Sequence, residues 1–346
     1  MKKTNYIKVI HLIHSDGRGG IEIGAKLGSK VLKKNSNYNV KYIFNLKDNF
    51  ILRITKSFKT LITLFKEIKK TEKVIIISSL WMSHIIAFIL KICLKNLIWI
   101  SFLHTTKYHD FINFIISTKL THLSNKRIFD SFSSAKAHNE KKFTNSQIIN
   151  FYFPYSKASK FKIQNWSKRK YDFIVIARNE KRKGILEIEK FFFDIANSFP
   201  NKPKALIITD KVDKTINLKK IKRKIISKCD ITIKTNLTNQ KVLKFLTQSK
   251  MYVCLSHFEG FGMSVVEAIL SGCFVITTNV GEQKYYLYPN RRIILNKKNK
   301  YKIKINFINK NGPSIINFNL AKKYLNKKIK PYHQSLELLI NESFKL

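Results

Sequence analysis

The sequence predicts an α/β protein with two doubly wound, Rossmann-like domains facing a cleft. In both halves, short and nearly continuous apolar runs alternate with amphipathic segments, which is typical of parallel strands buried between covering helices. A polar, basic stretch at 154–170 separates the halves and indicates an interdomain linker. We therefore expect an N-terminal domain over residues 1–160, a C-terminal domain over 168–318, and helices over 319–346 that pack back across the domains.

The first half is predicted to begin with a strand rather than a targeting segment. Its apolar run at 7–14 is short, contains Lys8 and two histidines, and lacks a small-residue cleavage site. Residues 74–103 are also apolar, but Lys91 and Lys95 interrupt them before the about 20 apolar residues of a membrane span accumulate. We expect a strand at 74–79, a helix at 82–95 and a strand at 97–103.

Residues 52–70 predict an amphipathic helix with a basic polar face. The simplest interpretation is a helix that covers the sheet, and the alternative is a helix that also rests on anionic lipid headgroups. The apolar face is expected to carry Leu52, Phe58, Leu61, Ile62, Phe65 and Ile68.

The second half continues the alternation of strands and helices. Strands are predicted at 173–177, 205–209, 231–234, 251–256 and 274–278, and helices at 185–199 and 240–248.

The composition limits the partners of this chain. The formal net charge is +45, from 66 Lys and Arg against 21 Asp and Glu, which favours anionic partners such as nucleic acid, an anionic membrane or phosphorylated substrates. The joint richness in Lys, Ile, Asn and Phe is also what an AT-rich genome would impose, so part of the charge need not be functional. The four cysteines have no close pairing and no metal-thiolate spacing, which favours reduced thiols in a cytosolic protein.

A glycine-containing turn after the strand at 251–256 is the first candidate binding site. Gly260 and Gly262 allow a close backbone approach to a ligand, and the helix that follows has the spacing of a capping box in Ser264 and Glu267. Helix N-termini favour anions and polar oxygens. Glu259 and Glu267 stand eight positions apart, so two carboxylates are expected at the carboxyl end of a strand.

Residues 251–287 resemble the retaining GT-B glycosyltransferases of family 4, the group 1 glycosyltransferases. The likeness lies in the two glutamates around Gly-Phe-Gly, a second strand, and Gly281 with Glu282. It implies transfer of a hexosyl group from a nucleotide diphosphate donor to an acceptor hydroxyl. It implies no cofactor apart from that donor, which is a substrate, and no metal, since the chain has no Asp-x-Asp.

The resemblance also implies roles for individual residues. Glu259 and His104 are expected to be catalytic, with His104 projecting toward the donor sugar from the end of its strand, and His109 has weaker support. Glu267 is expected to accept hydrogen bonds from the ribose hydroxyls. The sugar hydroxyls would be held by Glu259 together with the backbone of Phe261, Gly262 and Met263.

Two further loops are expected to meet the donor's diphosphate. Gly19 and Gly20 open a helix and resemble the Gly-Gly-x-Glu loop of the family. Arg178 and Lys183 fit the slots of its diphosphate clamp, although Ala177 replaces the usual glycine. Asp210-Lys211-Val212-Asp213 stands where the family has Gly-x-Gly, which puts the contacts to the base in doubt.

The resulting hypothesis is a metal-independent enzyme of cell-surface polysaccharide or lipopolysaccharide synthesis. It would act on a saccharide or lipid-linked saccharide acceptor in the cytoplasm, peripheral at an anionic surface on the inner face of the plasma membrane, with no nucleic acid as partner. A sugar-nucleotide epimerase of the same architecture is one alternative. A basic nucleic-acid-binding protein is another, but no RNP-like strand or zinc-finger spacing accompanies the charge.

Overall fold

The computed structural model divides into two compact units, the first formed by residues 1–153 and 330–346 and the second by residues 154–329. The first division falls at the start of the predicted linker, and the second falls within the predicted C-terminal helices. His109 and the stretch 297–311, expected as an exposed loop, lie outside the described residues. The structure describes residues 8–17, 19–32, 37–45, 47–71, 73–104, 108, 110–138, 147–153, 162–196, 199–211, 217–289, 292–295 and 315–344, with only the backbone described at 284, 293, 315–317 and 344.

The described elements alternate between strands and helices along the chain. The strands are β1 (Lys8–Ser15), β2 (Asn37–Phe44), β3 (Val74–Ser79), β4 (Leu97–Leu103), β5 (Lys126–Phe129), β6 (Tyr171–Ile176), β7 (Lys204–Thr209), β8 (Asp230–Thr235), β9 (Ser249–Cys254), β10 (Phe274–Thr278) and β11 (Arg292–Leu295). The helices are α1 (Gly20–Leu32), α2 (Phe50–Lys69), α3 (Trp81–Cys93), α4 (Phe111–Thr118), α5 (Phe132–Ala137), α6 (Glu187–Ala196), α7 (Leu218–Ile225), α8 (Asn239–Thr247), α9 (Met263–Leu270), α10 (Gln283–Tyr286), α11 (Ile315–Lys328) and α12 (Tyr332–Phe344).

The first unit is a five-stranded parallel sheet in the order β2-β1-β3-β4-β5. The chain runs from β1 to β2 in one direction and then turns back to β3, so the strand order reverses between β1 and β3. Ligands of open α/β sheets bind at such a switch point, outside the carboxyl ends of the strands. Helix α12 returns to this unit and packs against α1, which lies on the other face from α2 and α3.

The predicted apolar face of helix α2 is only partly buried against the sheet. Only Leu64 and Ile68 are fully buried, and Leu61 and Phe65 pack against the same core. Phe58 and Ile62, expected to be buried, are 63% and 54% exposed, and Leu52 is exposed as well. The apolar stripe of this helix is wider than the strip of sheet it covers, so part of it faces away from the core.

The second unit is a six-stranded parallel sheet in the order β11-β10-β9-β6-β7-β8. Its core is formed by apolar side chains of the central strands and of α6 and α7. From β6 the chain proceeds to β7 and β8 on one side and then crosses to β9 on the other. The switch point of this sheet therefore lies between β6 and β9.

The predicted capping box at α9 is wrong. The helix begins at Met263 after Gly262, whose φ of 82° is left-handed, and no side chain caps it. Ser264 is already inside the helix, where its hydroxyl accepts a hydrogen bond from Tyr252 (2.8 Å). Glu267 lies beyond the first turn, so its carboxylate is directed away from the cap.

Among the described residues, no helix is long and apolar enough to cross a membrane.

Candidate functional site

Three loops meet at the carboxyl edge of the second sheet, following β6, β9 and β10. Their backbones are in direct contact: a Cβ on Gly184 would lie 2.0 Å from the Leu255 carbonyl oxygen, and one on Gly281 would lie 2.5 Å from that of Gly260. Both glycines have positive φ, 70° and 58°. Because glycine alone permits these conformations and approaches, the three loops form one packed surface.

Lys183 and Glu259 form an ion pair across the switch point. The Lys183 Nζ lies 2.5 Å from the Glu259 Oε1, and the hydroxyl of Ser256 donates to the same oxygen at 2.8 Å. The two side chains are mostly buried, at 17% and 15% exposure. The structure therefore brings together Lys183, which is predicted to bind the diphosphate, and Glu259, which is predicted to bind the sugar. The two residues come from different loops.

Arg178 lies on the outer side of the same loop. Its Nη1 is 3.3 Å from Glu180 Oε1, and Arg182 donates to the other oxygen of Glu180 at 2.7 Å. Nearby, Asp210 accepts a hydrogen bond from the Asn179 amide at 2.8 Å. Asp210, which stands where the family has Gly-x-Gly, thus connects the loop after β7 to the loop after β6.

The turn before α9 presents backbone donors. Phe261 itself is buried, with its ring against Tyr286 and its carbonyl oxygen accepting from the Tyr286 hydroxyl at 2.7 Å. Within the described part of the chain, the amides of Phe261, Gly262 and Met263 donate no hydrogen bond. An anion or a hydroxyl oxygen placed at this helix start would find these amides available.

Glu267 is held inside the second unit by Asn239, the first residue of α8. The Asn239 Nδ2 donates to Glu267 Oε1 at 2.9 Å. Burial raises the pKa of Glu267 to about 7, and the hydrogen bond from Asn239 opposes this shift only in part. Near neutral pH this carboxyl group therefore exists in both protonation states.

The predicted glycine loop of the first unit surrounds a carboxylate. Gly20 is the first residue of α1, and the Gly19 carbonyl accepts from the Ile23 amide at 3.0 Å. A Cβ at Gly19 would lie 2.4 Å from Glu22 Oε2, and one at Gly17 would lie 2.8 Å from Glu22 Oε1. The Glu22 carboxylate thus folds over the loop that is predicted to meet the diphosphate.

His104 lies at the end of β4, as predicted, and its side chain is only 4% exposed. Its Nε2 is 2.9 Å from Ser79 Oγ, and its ring stacks on Phe151. Its Nδ1 has no hydrogen-bond partner in the described part of the chain and faces Asp130 Oδ2 at 3.8 Å. Burial, followed by the neighbouring histidines, lowers the pKa of His104 well below its usual value, so the ring is neutral.

Three residues that bond to the predicted site residues were not predicted from the sequence. Ser256, Asn239 and Glu180 bond to Glu259, Glu267 and Arg178, respectively, and are polar side chains in loops or at a helix start. Nothing in their spacing distinguishes them from ordinary surface residues. The described residues contain no cluster of three or more His, Cys, Asp or Glu side chains that could hold a metal ion.

Comparison with known proteins confirms the predicted resemblance to the group 1 glycosyltransferases. Residues 156–312 match the family model described as "Glycosyl transferases group 1". A poly(glycerol-phosphate) α-glucosyltransferase of Bacillus subtilis (strain 168) is 27% identical over 162 residues, which is 44% of this chain and 21% of the relative. The chain therefore spans about a fifth of the length of this curated relative.

Solved structures confirm the fold over nearly the whole chain. HepE of Anabaena in complex with UDP is 14% identical with a TM-score of 0.72, covering 98% of this chain and 100% of its own. The sucrose-phosphate synthase of Thermosynechococcus elongatus is 14% identical with a TM-score of 0.75, covering 98% of this chain and 99% of its own. At this identity the likeness establishes the fold, and the prediction of two doubly wound domains of the GT-B class is confirmed.

Proposed function

Since residues 156–312 match the family model of the group 1 glycosyltransferases, we propose that the protein transfers a hexose from a nucleotide diphosphate donor to an acceptor hydroxyl, with retention of configuration. The ion pair between Lys183 and Glu259 carries this proposal. A cation suited to a diphosphate and a carboxylate suited to sugar hydroxyls lie side by side at the switch point, next to the three available amides before α9.

The chemistry assigned to these groups is electrostatic. As the bond between sugar and diphosphate breaks, negative charge grows on the departing phosphate, and Lys183, Arg178 and the amides of the turn would stabilise it. Glu259 would hold sugar hydroxyls once the donor's phosphate competes for Lys183. The carboxylate of Glu267 would accept hydrogen bonds from the ribose.

Retention and the donor class are supported by the relatives. The Bacillus protein is named as an α-glucosyltransferase, and HepE was solved with UDP. An α-linked product formed from an α-linked nucleotide sugar retains configuration, which is the outcome we propose for this chain.

The acceptor we propose is a lipid-linked saccharide presented by an anionic membrane, in the synthesis of a cell-surface polysaccharide or lipopolysaccharide. Helix α2 carries exposed apolar residues together with lysines such as Lys59 and Lys66. Helix α3 packs between α2 and α4, and α4 adds Phe111 and Ile112, exposed at 73% and 62%. Basic charge beside exposed apolar side chains in one helical layer fits the interface of an anionic bilayer.

Incubation of the purified protein with a panel of nucleotide sugars and saccharide acceptors tests this function. We expect nucleoside diphosphate to be released from one donor, with release rising when the acceptor is added, and the product to keep the anomeric configuration of the donor. Release that ignores every acceptor, with the sugar epimerised, would identify the epimerase instead. The absence of product in the Glu259→Gln variant is the control for a contaminating activity.

A further inference from the structure

A continuous chain of buried hydrogen bonds runs along one face of the first sheet and ends at His104. The Tyr332 hydroxyl lies 3.3 Å from that of Tyr38, and the Tyr38 hydroxyl lies 2.6 Å from His11 Nδ1. The other nitrogen of His11, Nε2, is 2.8 Å from Ser79 Oγ, which is itself 2.9 Å from His104 Nε2. The first four side chains in this chain are fully buried.

The single hydrogen of the Ser79 hydroxyl links the tautomers of the two histidines. Burial lowers the pKa of both rings, so each is neutral and has one N–H and one acceptor nitrogen. If both Nε2 atoms carried hydrogen, the Ser79 hydrogen would find no acceptor among the described residues. If neither did, the single Ser79 hydrogen would reach one Nε2, and the other would face the hydroxyl oxygen with no hydrogen between them. One ring must therefore donate to Ser79 and the other accept from it, which leaves two possible directions for the chain.

The distances favour the direction that runs from Tyr332 to His104. The 2.6 Å between Tyr38 and His11 Nδ1 lies within the usual range for an O–H donor and below the range of about 2.7–3.2 Å for an N–H donor. An O–H donor from Tyr38 to His11 Nδ1 fits this separation better, and it places the hydrogen of His11 on Nε2. It follows that His11 donates to Ser79, and Ser79 donates to His104 Nε2.

The other end of the chain favours the same direction. In this arrangement the hydrogen of His104 is on Nδ1, which faces the Asp130 carboxylate at 3.8 Å. In the reverse arrangement, a lone pair of His104 would face that carboxylate. The hydrogen of the buried Tyr332 hydroxyl would also have no acceptor in the described part of the chain.

We propose that Tyr38, His11 and Ser79 are positioning residues that hold His104 as its Nδ1–H tautomer, with this N–H directed at the Asp130 carboxylate and the ring fixed at the end of β4. The proposal rests on the proposed function only where the kinetic test treats His104 as a catalytic residue. The tautomer itself follows from the hydrogen bonds of the first unit.

Nitrogen-15 NMR of the histidine side chains tests the tautomer without any activity. We expect His104 with hydrogen on Nδ1 and His11 with hydrogen on Nε2, each assigned by the signals that disappear in its own His→Gln variant. His84 is the internal control, because Ser78 accepts from Trp99 Nε1 and must donate to His84 Nδ1, which requires hydrogen on Nε2 of His84. Hydrogen on Nε2 of His104 would overturn the proposal.

Kinetics of Ser79 variants test the positioning role. Ser79→Ala should lower kcat about tenfold, the loss of one hydrogen bond, with nucleoside diphosphate affinity unchanged and with recovery in Ser79→Thr. Ser78→Ala is the matched control, since it removes an equally buried hydroxyl on β3 that bonds to His84 rather than to His104.

Equal losses of kcat in Ser78→Ala and Ser79→Ala, or no loss in Ser79→Ala, would refute the positioning role. If the protein transfers no sugar, the NMR result still decides the tautomer, so failure of the proposed function is recognised separately.

Discussion

Lys183 Nζ and Glu259 Oε1 are 2.5 Å apart, so the two residues expected to bind different parts of one donor are bound to each other. Each neutralises the other in a mostly buried position, where an unpaired charge is costly. Donor binding must therefore replace or share this ion pair, since a diphosphate offers Lys183 a second anion and sugar hydroxyls offer Glu259 new donors.

Lys183→Ala should weaken nucleoside diphosphate binding by about 1.5–3 kcal/mol, the usual contribution of a hydrogen bond to a charged group. The variant leaves Glu259 as an uncompensated carboxylate beside the diphosphate, so the second substitution in Lys183→Ala/Glu259→Gln should restore part of the affinity. Calorimetry on the four proteins of this cycle measures the coupling. Additive losses would show that the ion pair does not bear on binding.

Glu259→Gln alone should lower turnover more than nucleoside diphosphate affinity, because its expected partner is the sugar. Steady-state kinetics combined with calorimetry separates the two effects. A variant that loses nucleotide affinity while keeping kcat would mean that the roles of Glu259 and Glu267 are exchanged.

Arg178→Ala should lower kcat/KM, because this side chain is expected to meet charge that develops on the departing diphosphate. Arg182→Ala is the matched control, since Arg182 bonds to the same Glu180 without being part of the expected clamp. The prediction is wrong if both variants lose activity equally, which would point to the common partner Glu180. Together with Lys183→Ala, loss of Arg178 should cost several kcal/mol in transition-state stabilisation, roughly the combined effect of two charge-assisted contacts.

The pKa of Glu267, about 7 in the folded chain against an ordinary 4.5, predicts a pH dependence of stability. The folded state holds this proton more tightly, so its contribution is fully present below pH 4.5 and is lost as the pH rises through 7. The shift corresponds to about 3 kcal/mol. Urea unfolding of wild type and Glu267→Gln from pH 4.5 to 8 should show the variant gaining relative stability with increasing pH, and a constant difference would refute the shift.

The same titration should govern nucleotide binding. The ionised carboxylate of Glu267 is a stronger hydrogen-bond acceptor for the ribose hydroxyls than the neutral acid, so affinity for nucleoside diphosphate should rise between pH 6 and 8. In Glu267→Gln the affinity should be lower and should follow only the titration of the ligand itself. Parallel pH profiles for the two proteins would remove Glu267 from the ribose site.

Liposome sedimentation tests the membrane surface of α2 and α4. Binding should be much stronger to anionic than to neutral lipid, weaken in Lys59→Gln/Lys66→Gln, and fall with salt as the Debye length shortens from about 10 Å at 0.1 M to about 3 Å at 1 M. Lys56 is a poorer choice for substitution than Lys59 or Lys66, because Asp48 pairs with it at 2.8 Å.

The apolar part of this surface should retain some protein on the vesicles even in high salt. That fraction should disappear in Phe111→Ser/Ile112→Ser and persist in Leu338→Ser, which changes an exposed leucine on α12 of the same unit. Equal binding to neutral vesicles, or none to anionic vesicles at low salt, would leave the charge to another partner, with nucleic acid the first to test.

The sequence predicted the strands better than the side-chain environments. β3, β4 and β10 have the predicted bounds because each is an apolar run that is buried throughout or nearly so, and such a run allows one interpretation. The exposed Phe58 was not predictable, since helical periodicity defines an apolar face without stating how much of it the sheet covers. The place of Glu267 was also missed, because a capping box and a buried carboxyl bonded to Asn239 share the same local pattern.

The loop glycines Gly184 and Gly281 of the second unit and Gly19 of the first unit differ in which substitutions they would tolerate. At Gly184 and Gly281 an added methyl group meets backbone carbonyls and a left-handed φ, so neither position has room to vary. At Gly19 the obstacle is the end of the Glu22 side chain, which can rotate away. Variation that redirects donor choice must therefore come from side chains around the loops of the second unit, while the glycine loop of the first unit can accept alanine once Glu22 is shortened or moved.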